Sequence, residues 1–223
     1  MQPAFVPVRG AAAKFPVRRI YCVGRNYVEH IREMKEGDER DPPFFFQKPS
    51  DSIVTTGRVP YPPSTQDYQF EVELVAAVGV GGADIPVASA LDHIYGYTVG
   101  LDMTRRDLQR EARERQLPWE PGKSFDCSAP CGIIVPVSEC GHPTQGAITL
   151  TVGGVERQRG RLEQMIWNVP EIVANLSKHY RLEPGDLIYT GTPAGVGPVQ
   201  PGDTMEAAID GFDTLVVTVE GAR

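Results

Sequence analysis

The sequence predicts a β-rich α+β fold, and three observations carry that reading. First, 23 glycines and 20 prolines occur in 223 residues, about a fifth of the chain against an average of roughly 12%. They are spread evenly, which favours many turns and short strands over a helical bundle. Second, the apolar runs are short and bounded by Gly or Pro, as strands are. Third, only a few segments carry helical spacing with caps. At 41% hydrophobic the chain can bury a core. Its length suits one main domain, 20–223, behind a loosely attached N-terminal arm or set of short strands, 1–19.

In chain order, Ile20 to Gly24 reads as a strand, followed by a short helix from about Tyr27 to Lys35 that Asn26 would cap. A charged loop runs from Glu36 to Asp41. Phe44 to Lys48 reads as a buried strand stopped by Pro49. Thr56 to Thr65 is turn-rich. Phe70 to Val78 has strand composition, Ala88 to His93 suits a short helix, and Ile94 to Leu101 suits another strand. Thr104 stands three residues before Asp107, a capping-box spacing, ahead of a polar helix to about Gln116 that Pro118 and Pro121 end. Ile133 to Val137, Ile148 to Val152 and Val155 to Arg157 are strands, the last two joined by a Gly153-Gly154 hairpin turn. Leu162 to Ile166 is a helical turn. Asn168, with Glu171 three positions on, caps a helix to about Tyr180 whose Ile172, Val173 and Leu176 share one face. Pro-Gly-Asp turns at Pro184 and Pro201 launch strands Leu187 to Tyr189 and Met205 to Ile209, and Leu215 to Val219 closes the chain.

The net charge is -7, and the dense basic run near residue 110 is interleaved with acids, so no nucleic-acid face is expected. The apolar runs are too short to span a bilayer, and the N-terminus lacks the features of a signal peptide. Cys22, Cys127, Cys131 and Cys140 form no CxxC pair, and four cysteines without an export signal fit buried thiols in a reducing cytosol.

Six places could carry chemistry. Glu71 and Glu73 share one face of an apolar strand. If two such carboxylates converge to ~4 Å, their repulsion is about 4 kcal/mol at an effective dielectric of 20. A hard divalent cation relieves it; the alternative is a solvated polar strand face. Asp102, after the run Tyr95 to Leu101, is a candidate ligand or a second helix cap. His30 and Glu33, at i and i+3, can form a base whose tautomer the carboxylate sets, or an exposed helical pair. Arg106 and Gln109 share a helix face suited to gripping a small acid, while the charges from Arg110 to Arg115 look solvated and internally paired. Lys123 either points inward, where it would stabilise a developing enolate, or is solvated. The loop Thr190 to Gly197 matches no nucleotide-binding pattern, yet its glycines let Thr192 and backbone N–H groups approach a small anion. His93, His142 and His179 have no such setting.

Jointly, the segments CVGRNYVEHIREM (22–34), PPFFFQKP (42–49), FEVEL (70–74), GYTVGLDMTRRDLQ (96–109), GKSFD (122–126), MIWNVPEIVANLS (165–177) and LEPGDLIYTGTPAGVG (182–197) resemble the fumarylacetoacetate hydrolase family, over Tyr21 to about Gly211. The resemblance implies a mixed β-sandwich roll of that family's C-terminal-domain type, usually a homodimer, here cytoplasmic. It implies Mg²⁺ or Mn²⁺ on Glu71, Glu73 and Asp102, a catalytic His30–Glu33 pair on a helix that closes as a lid, and Lys123 stabilising an enolate. Arg106, Gln109 and Thr192 would hold the pyruvoyl end of the substrate, with Arg25 as a further anion contact.

The implied activity is metal-dependent hydrolysis of the C–C bond of an acylpyruvate, a 2,4-dioxo acid. The nearest substrate is fumarylpyruvate, giving fumarate and pyruvate in gentisate-type aromatic catabolism. General acylpyruvase, oxaloacetate decarboxylase and dienedioate isomerase activities of the same family stay open, as does a non-catalytic dicarboxylate-binding protein. General acylpyruvases more often carry leucine where Gln47 precedes Lys48. Tyr68-Gln69-Phe70 stands where a His often precedes the glutamates, which leaves open what supports Glu71.

Overall fold

Val72–Val78 is buried at every position, and its two faces meet different cores. Val72, Leu74, Ala76 and Val78 join the main hydrophobic cluster, while Val75 and Ala77 join a smaller one with Ile20, Cys22, Leu187 and Tyr189. Alternation along a strand then puts Glu73 on the side of the smaller cluster. A computed structural model describes residues 4–34 and 41–221.

In chain order the strands and helices begin with β1 (Phe5–Val6), β2 (Phe15–Pro16), β3 (Arg19–Gly24), α1 (Val28–Met34), β4 (Phe44–Lys48), β5 (Ile53–Val54) and β6 (Arg58–Pro60). Next come β7 (Tyr68–Phe70), β8 (Val72–Val78), β9 (Ile94–Leu101), β10 (Thr104–Arg105), α2 (Arg106–Glu114), α3 (Glu120–Lys123), β11 (Ala129–Pro130), β12 (Val135–Pro136) and α4 (Val137–Cys140). The chain ends with β13 (Ala147–Val152), β14 (Val155–Arg161), α5 (Val169–His179), β15 (Asp186–Tyr189), β16 (Gly197–Pro198), β17 (Thr204–Ile209) and β18 (Leu215–Glu220).

A six-stranded mixed sheet runs β12-β9-β8-β15-β3-β4, with β15 and β3 parallel and the other pairs antiparallel. A five-stranded sheet runs β14-β13-β17-β18-β6. Ile148, Leu150, Met205, Ala207 and Val217 of that sheet pack with Leu74, Ala76 and Val99 of the first, forming the main core between the two layers. The α+β roll expected from the sequence is the fold observed.

Several local readings change. The expected strand Phe70 to Val78 divides at Glu71: β7 pairs with β10 and β16, while β8 pairs with β9 and β15. The turn-rich stretch Thr56 to Thr65 contains β6, which pairs with β18. The strand expected at Ile133 to Val137 shrinks to β12, because Pro136 has no N–H to extend the ladder, and α4 follows. Thr104 does not cap α2. It lies in β10, and its hydroxyl donates to the Asp102 carbonyl and accepts from Lys123. Asn26 does not cap α1 either; its side chain ties distant segments, as described below. The helix Asn168 was expected to cap is α5, and its capping box forms reciprocally with Glu171, both bonds 3.0 Å. The first segment also packs firmly: Val6, Val8, Phe15 and Val17 are buried in the smaller cluster. Lys35 and most of the expected charged loop, residues 36–40, lie outside the described residues.

Candidate active site

Three chain segments converge at one end of the six-stranded sheet. Glu71 is the residue where the chain leaves β7 for β8, Glu73 sits on β8, and Asp102 follows β9. The Asp102 N–H donates to the Glu71 carbonyl at 2.9 Å, which fixes the two junctions against each other. One oxygen from each carboxylate lies within 4.8 Å of the others, and all three residues are buried.

Three buried carboxylates need countercharge, and the supply is uneven. Lys123 Nζ donates to Glu71 Oε2 and Asp102 Oδ2, both at 2.8 Å, and to Thr104 Oγ1 at 2.7 Å. Arg106 Nη2 donates to Glu71 Oε1. Burial alone would raise the Glu71 pKa; Lys123 and Arg106 overrule it and hold the carboxyl well below the usual range. Lys123 stays charged for the matching reason: the pull of Asp102 and Glu71 outweighs its own burial. Glu73 is different. Its Oε2 accepts the Gly191 N–H at 2.8 Å, and among the described residues no ion pair reaches it. Burial, with the charges of Asp102 and Glu71, pushes its pKa well up. Asp102 Oδ1 is also short of a partner: Lys48 Nζ stands 2.7 Å away, yet the oxygen accepts no aligned hydrogen bond. A carboxylate without a countercharge in an all-oxygen trio fits a hard dication such as Mg²⁺ or Mn²⁺.

Above the trio, α1 carries His30, nearly buried, with Nδ1 3.3 Å from Glu33 Oε2. Glu33 also accepts the Gly195 N–H at 3.1 Å. Its pKa is lowered because the His30 and Gly195 contacts outweigh burial. A carboxylate on Nδ1 sets the tautomer and leaves Nε2 to meet a water. The base of α1 is anchored by Asn26, which is fully buried. Its Nδ2 donates to the carbonyls of Trp167 at 2.8 Å and Thr190 at 2.7 Å, and its Oδ1 accepts the Trp167 N–H at 2.7 Å. Gly191 is required beside it: its φ is +96°, and a Cβ there would come within 2.6 Å of Asn26 Cβ.

Arg106 is a hub. Besides Glu71, it donates from Nε to Gln69 Oε1 at 2.8 Å and from Nη1 to Gln109 Oε1 at 2.5 Å. Gln69, one of the residues where a His often stands in the family, therefore supports Glu71 indirectly, by aiming Arg106. Thr192 Oγ1 accepts from Gln158 Nε2 at 2.8 Å. Arg25, with a left-handed φ of 59°, stands over the Phe44 ring, 5.2 Å from its centroid.

Of the ten residues singled out in the sequence, nine line one cavity: Arg25, His30, Glu71, Glu73, Asp102, Arg106, Gln109, Lys123 and Thr192; Glu33 lies behind His30. Lys48, Gln69 and Gln158 were not anticipated. Lys48 did leave a signal, since it shares a strand face with Phe44 and Phe46 and a buried lysine demands an anion. All four cysteines are free thiols, but only Cys22 and Cys131 are buried as expected; Cys127 and Cys140 are half-buried.

Residues 19–220 match the family model for the fumarylacetoacetate (FAA) hydrolase C-terminal region. Fumarylpyruvate hydrolase of a Ralstonia species is 46% identical over 181 residues, covering 81% of this chain and 94% of its own length. The human mitochondrial oxaloacetate tautomerase is 40% identical over 204 residues, covering 91% and 92%. The crystal structure of fumarylpyruvate hydrolase from Pseudomonas aeruginosa, in complex with Mn²⁺ and pyruvate, has a TM-score of 0.97 and 52% identity, covering 99% of this chain and 97% of that one.

Proposed function

The chain belongs to the fumarylacetoacetate hydrolase family, and from that premise we propose that it hydrolyses the C–C bond of an acylpyruvate, with fumarylpyruvate giving fumarate and pyruvate. The observation that most supports this reading is one shared cavity: a buried carboxylate trio in its floor and His30, backed by Glu33, in its wall. Glu71, Glu73 and Asp102 would hold Mg²⁺ or Mn²⁺, which supplies Lewis-acid stabilisation of negative charge on the pyruvoyl oxygens.

The remaining work falls to the chain's own side chains. Arg106, Gln109 and Thr192 would bind the substrate carboxylate and fix its position. His30 would take a proton from a water through Nε2, while Glu33 steadies the imidazolium from Nδ1. The resulting hydroxide adds to the C4 carbonyl, the C3–C4 bond breaks, and its electron pair leaves on pyruvate as an enolate. Lys123 would stabilise that charge before a proton returns to carbon. Arg25 would meet the carboxylate at the far end of a fumaryl group.

A second reading, enolate chemistry on oxaloacetate, is favoured by the human relative. It needs the acidic trio and Lys123 but not the water-activating pair. The test is a panel of fumarylpyruvate, acetylpyruvate and oxaloacetate, with Mn²⁺ and with EDTA, on wild type and His30→Ala. Fumarylpyruvate hydrolysis should fall about 10²–10⁴-fold in the variant and vanish with EDTA. Full hydrolysis by His30→Ala would remove the base assignment, and turnover of oxaloacetate alone would favour the second reading.

We further assign the activity to gentisate-type aromatic catabolism and to a cytoplasmic homodimer. The bacterial relatives named for fumarylpyruvate support the first assignment. On the membrane question, no described helix is long and apolar enough to cross a bilayer.

A further inference from the structure

The cavity at the carboxylate trio opens into a second, larger space. Arg25, Phe44, Phe46, Trp119 and Lys123 line both it and a chamber of about 690 Å³ that extends past Tyr180. Rings form part of its wall, beside the charged and polar Arg25, Asp41, Gln47, Glu120, Lys123 and Ser124. Trp119 meets Phe44 edge-on, with centroids 5.2 Å apart and planes at 88°, and lies 6.0 Å from Phe46. Phe44, Phe46, Trp119 and Tyr180 are each half-buried while lining the chamber. Half-exposed aromatic rings converging on one cavity offer a planar apolar group both burial and ring contacts. A fumaryl group fills only a small part of this volume. Arg25 suits a carboxylate at the far end of an acyl group, and Phe44, Phe46 and Trp119 suit an uncharged ring.

Resting on the hydrolase reading above, we propose that the same site also hydrolyses aroylpyruvates, 2,4-dioxo acids whose acyl group is an aryl ring, and that Trp119 is the residue setting this specificity. The step balances with water alone. A C–O bond forms at C4, the C3–C4 bond breaks, and its electron pair leaves on the pyruvate enolate, which takes up a proton. The products are an arenecarboxylate and pyruvate, and no oxidant or reductant takes part. The Trp119 side chain lines the acyl chamber, while its backbone carbonyl accepts the Lys123 N–H at 3.0 Å, a bond that a side-chain substitution leaves in place.

The experiment measures kcat/KM for benzoylpyruvate, fumarylpyruvate and acetylpyruvate with Mn²⁺ on wild type, Trp119→Ala and Trp119→Phe. Wild type should turn over all three. In Trp119→Ala the ratio of benzoylpyruvate to acetylpyruvate kcat/KM should fall roughly tenfold, and Trp119→Phe should restore most of it. The loss should appear in KM for the aryl substrate, whereas a general structural defect lowers all three alike. Turnover of fumarylpyruvate and acetylpyruvate without benzoylpyruvate overturns the proposal, as does an unchanged ratio in Trp119→Ala. Failure of all three substrates overturns the hydrolase reading itself, and this proposal with it.

Discussion

Thr192 and Val72 are held by the same side chain. Gln158 is fully buried, and its Oε1 accepts the Val72 N–H at 2.9 Å. Its Nε2 must then face the Thr192 hydroxyl and the Pro193 carbonyl, each at 2.8 Å. Because the amide donates to Thr192 Oγ1, the threonine proton is left to point elsewhere, and the cavity that Thr192 lines is where an anion can use it. The same amide satisfies the backbone N–H of Val72, between Glu71 and Glu73. Gln158→Leu should therefore weaken competitive inhibition by pyruvate about tenfold, the value of one lost charge-assisted hydrogen bond. Thr192→Val should do the same, and the double variant should lose little more. A Gln158 that merely props the fold would lower the melting temperature of Gln158→Leu and leave the inhibition constant alone.

The two glutamates and Asp102 stand out as carboxylates among apolar strand residues, yet on their own they left a solvated strand face and a helix cap open; the family resemblance is what pointed to them as ligands. Gln158 does not stand out. Its neighbours Glu156, Arg157, Arg159 and Arg161 mark an exposed hairpin strand, and contacts distant in sequence, with Val72, Thr192 and Pro193, hold it inside.

At the scale of elements, local signals survived and those open to tertiary competition did not. The Asn168–Glu171 box needs only four consecutive residues, and it forms. The equivalent spacing at Thr104 and Asp107 fails because Lys123, brought in by α3, claims the threonine hydroxyl. Asp107 instead pins the loop before β7 to α2. It accepts the Thr65 hydroxyl at 2.5 Å, the Gln66 N–H at 2.8 Å and the Leu108 N–H at 2.9 Å. Burial raises its pKa, but these hydrogen bonds outweigh burial and lower it overall. A carboxyl whose folded pKa lies below its unfolded value adds stability above the unfolded pKa and loses it as pH falls through the folded one. Asp107→Asn should therefore cost about 1 kcal/mol near neutral pH. The difference from wild type should close as pH falls through the folded pKa, which lies below the ordinary aspartate value of about 3.9. Chemical denaturation of both proteins across that fall in pH checks it, and a gap that persists in acid would mean that geometry rather than charge holds the loop. The division of the expected long strand at Glu71 belongs to this scale too. Composition could mark Phe70 to Val78 as extended, but it could not show that two different sheets claim the two halves.

The whole molecule is arranged so that two layers of sheet bury their shared core at Leu74 and Ile148, while the smaller cluster ends at the acids. That placement sets three carboxylates against Lys48, Lys123 and Arg106, with Glu73 left without an ion-pair partner among the described residues. A folded state that carries such an unrelieved charge should be stabilised by any ion that binds it and not the unfolded chain. At a hundredfold excess over its dissociation constant, Mn²⁺ should add about 2.7 kcal/mol. For a chain of this size that raises the melting temperature by roughly 5–10 °C, and EDTA should reverse it. Glu73→Gln keeps an acceptor for the Gly191 N–H but removes the unrelieved charge. The metal-free variant should therefore melt no lower than metal-free wild type, while losing most of the Mn²⁺ shift. If the acids instead serve as a structural ion-pair network that needs no cation, wild type will show no shift with Mn²⁺, and Glu73→Gln will melt lower than its parent.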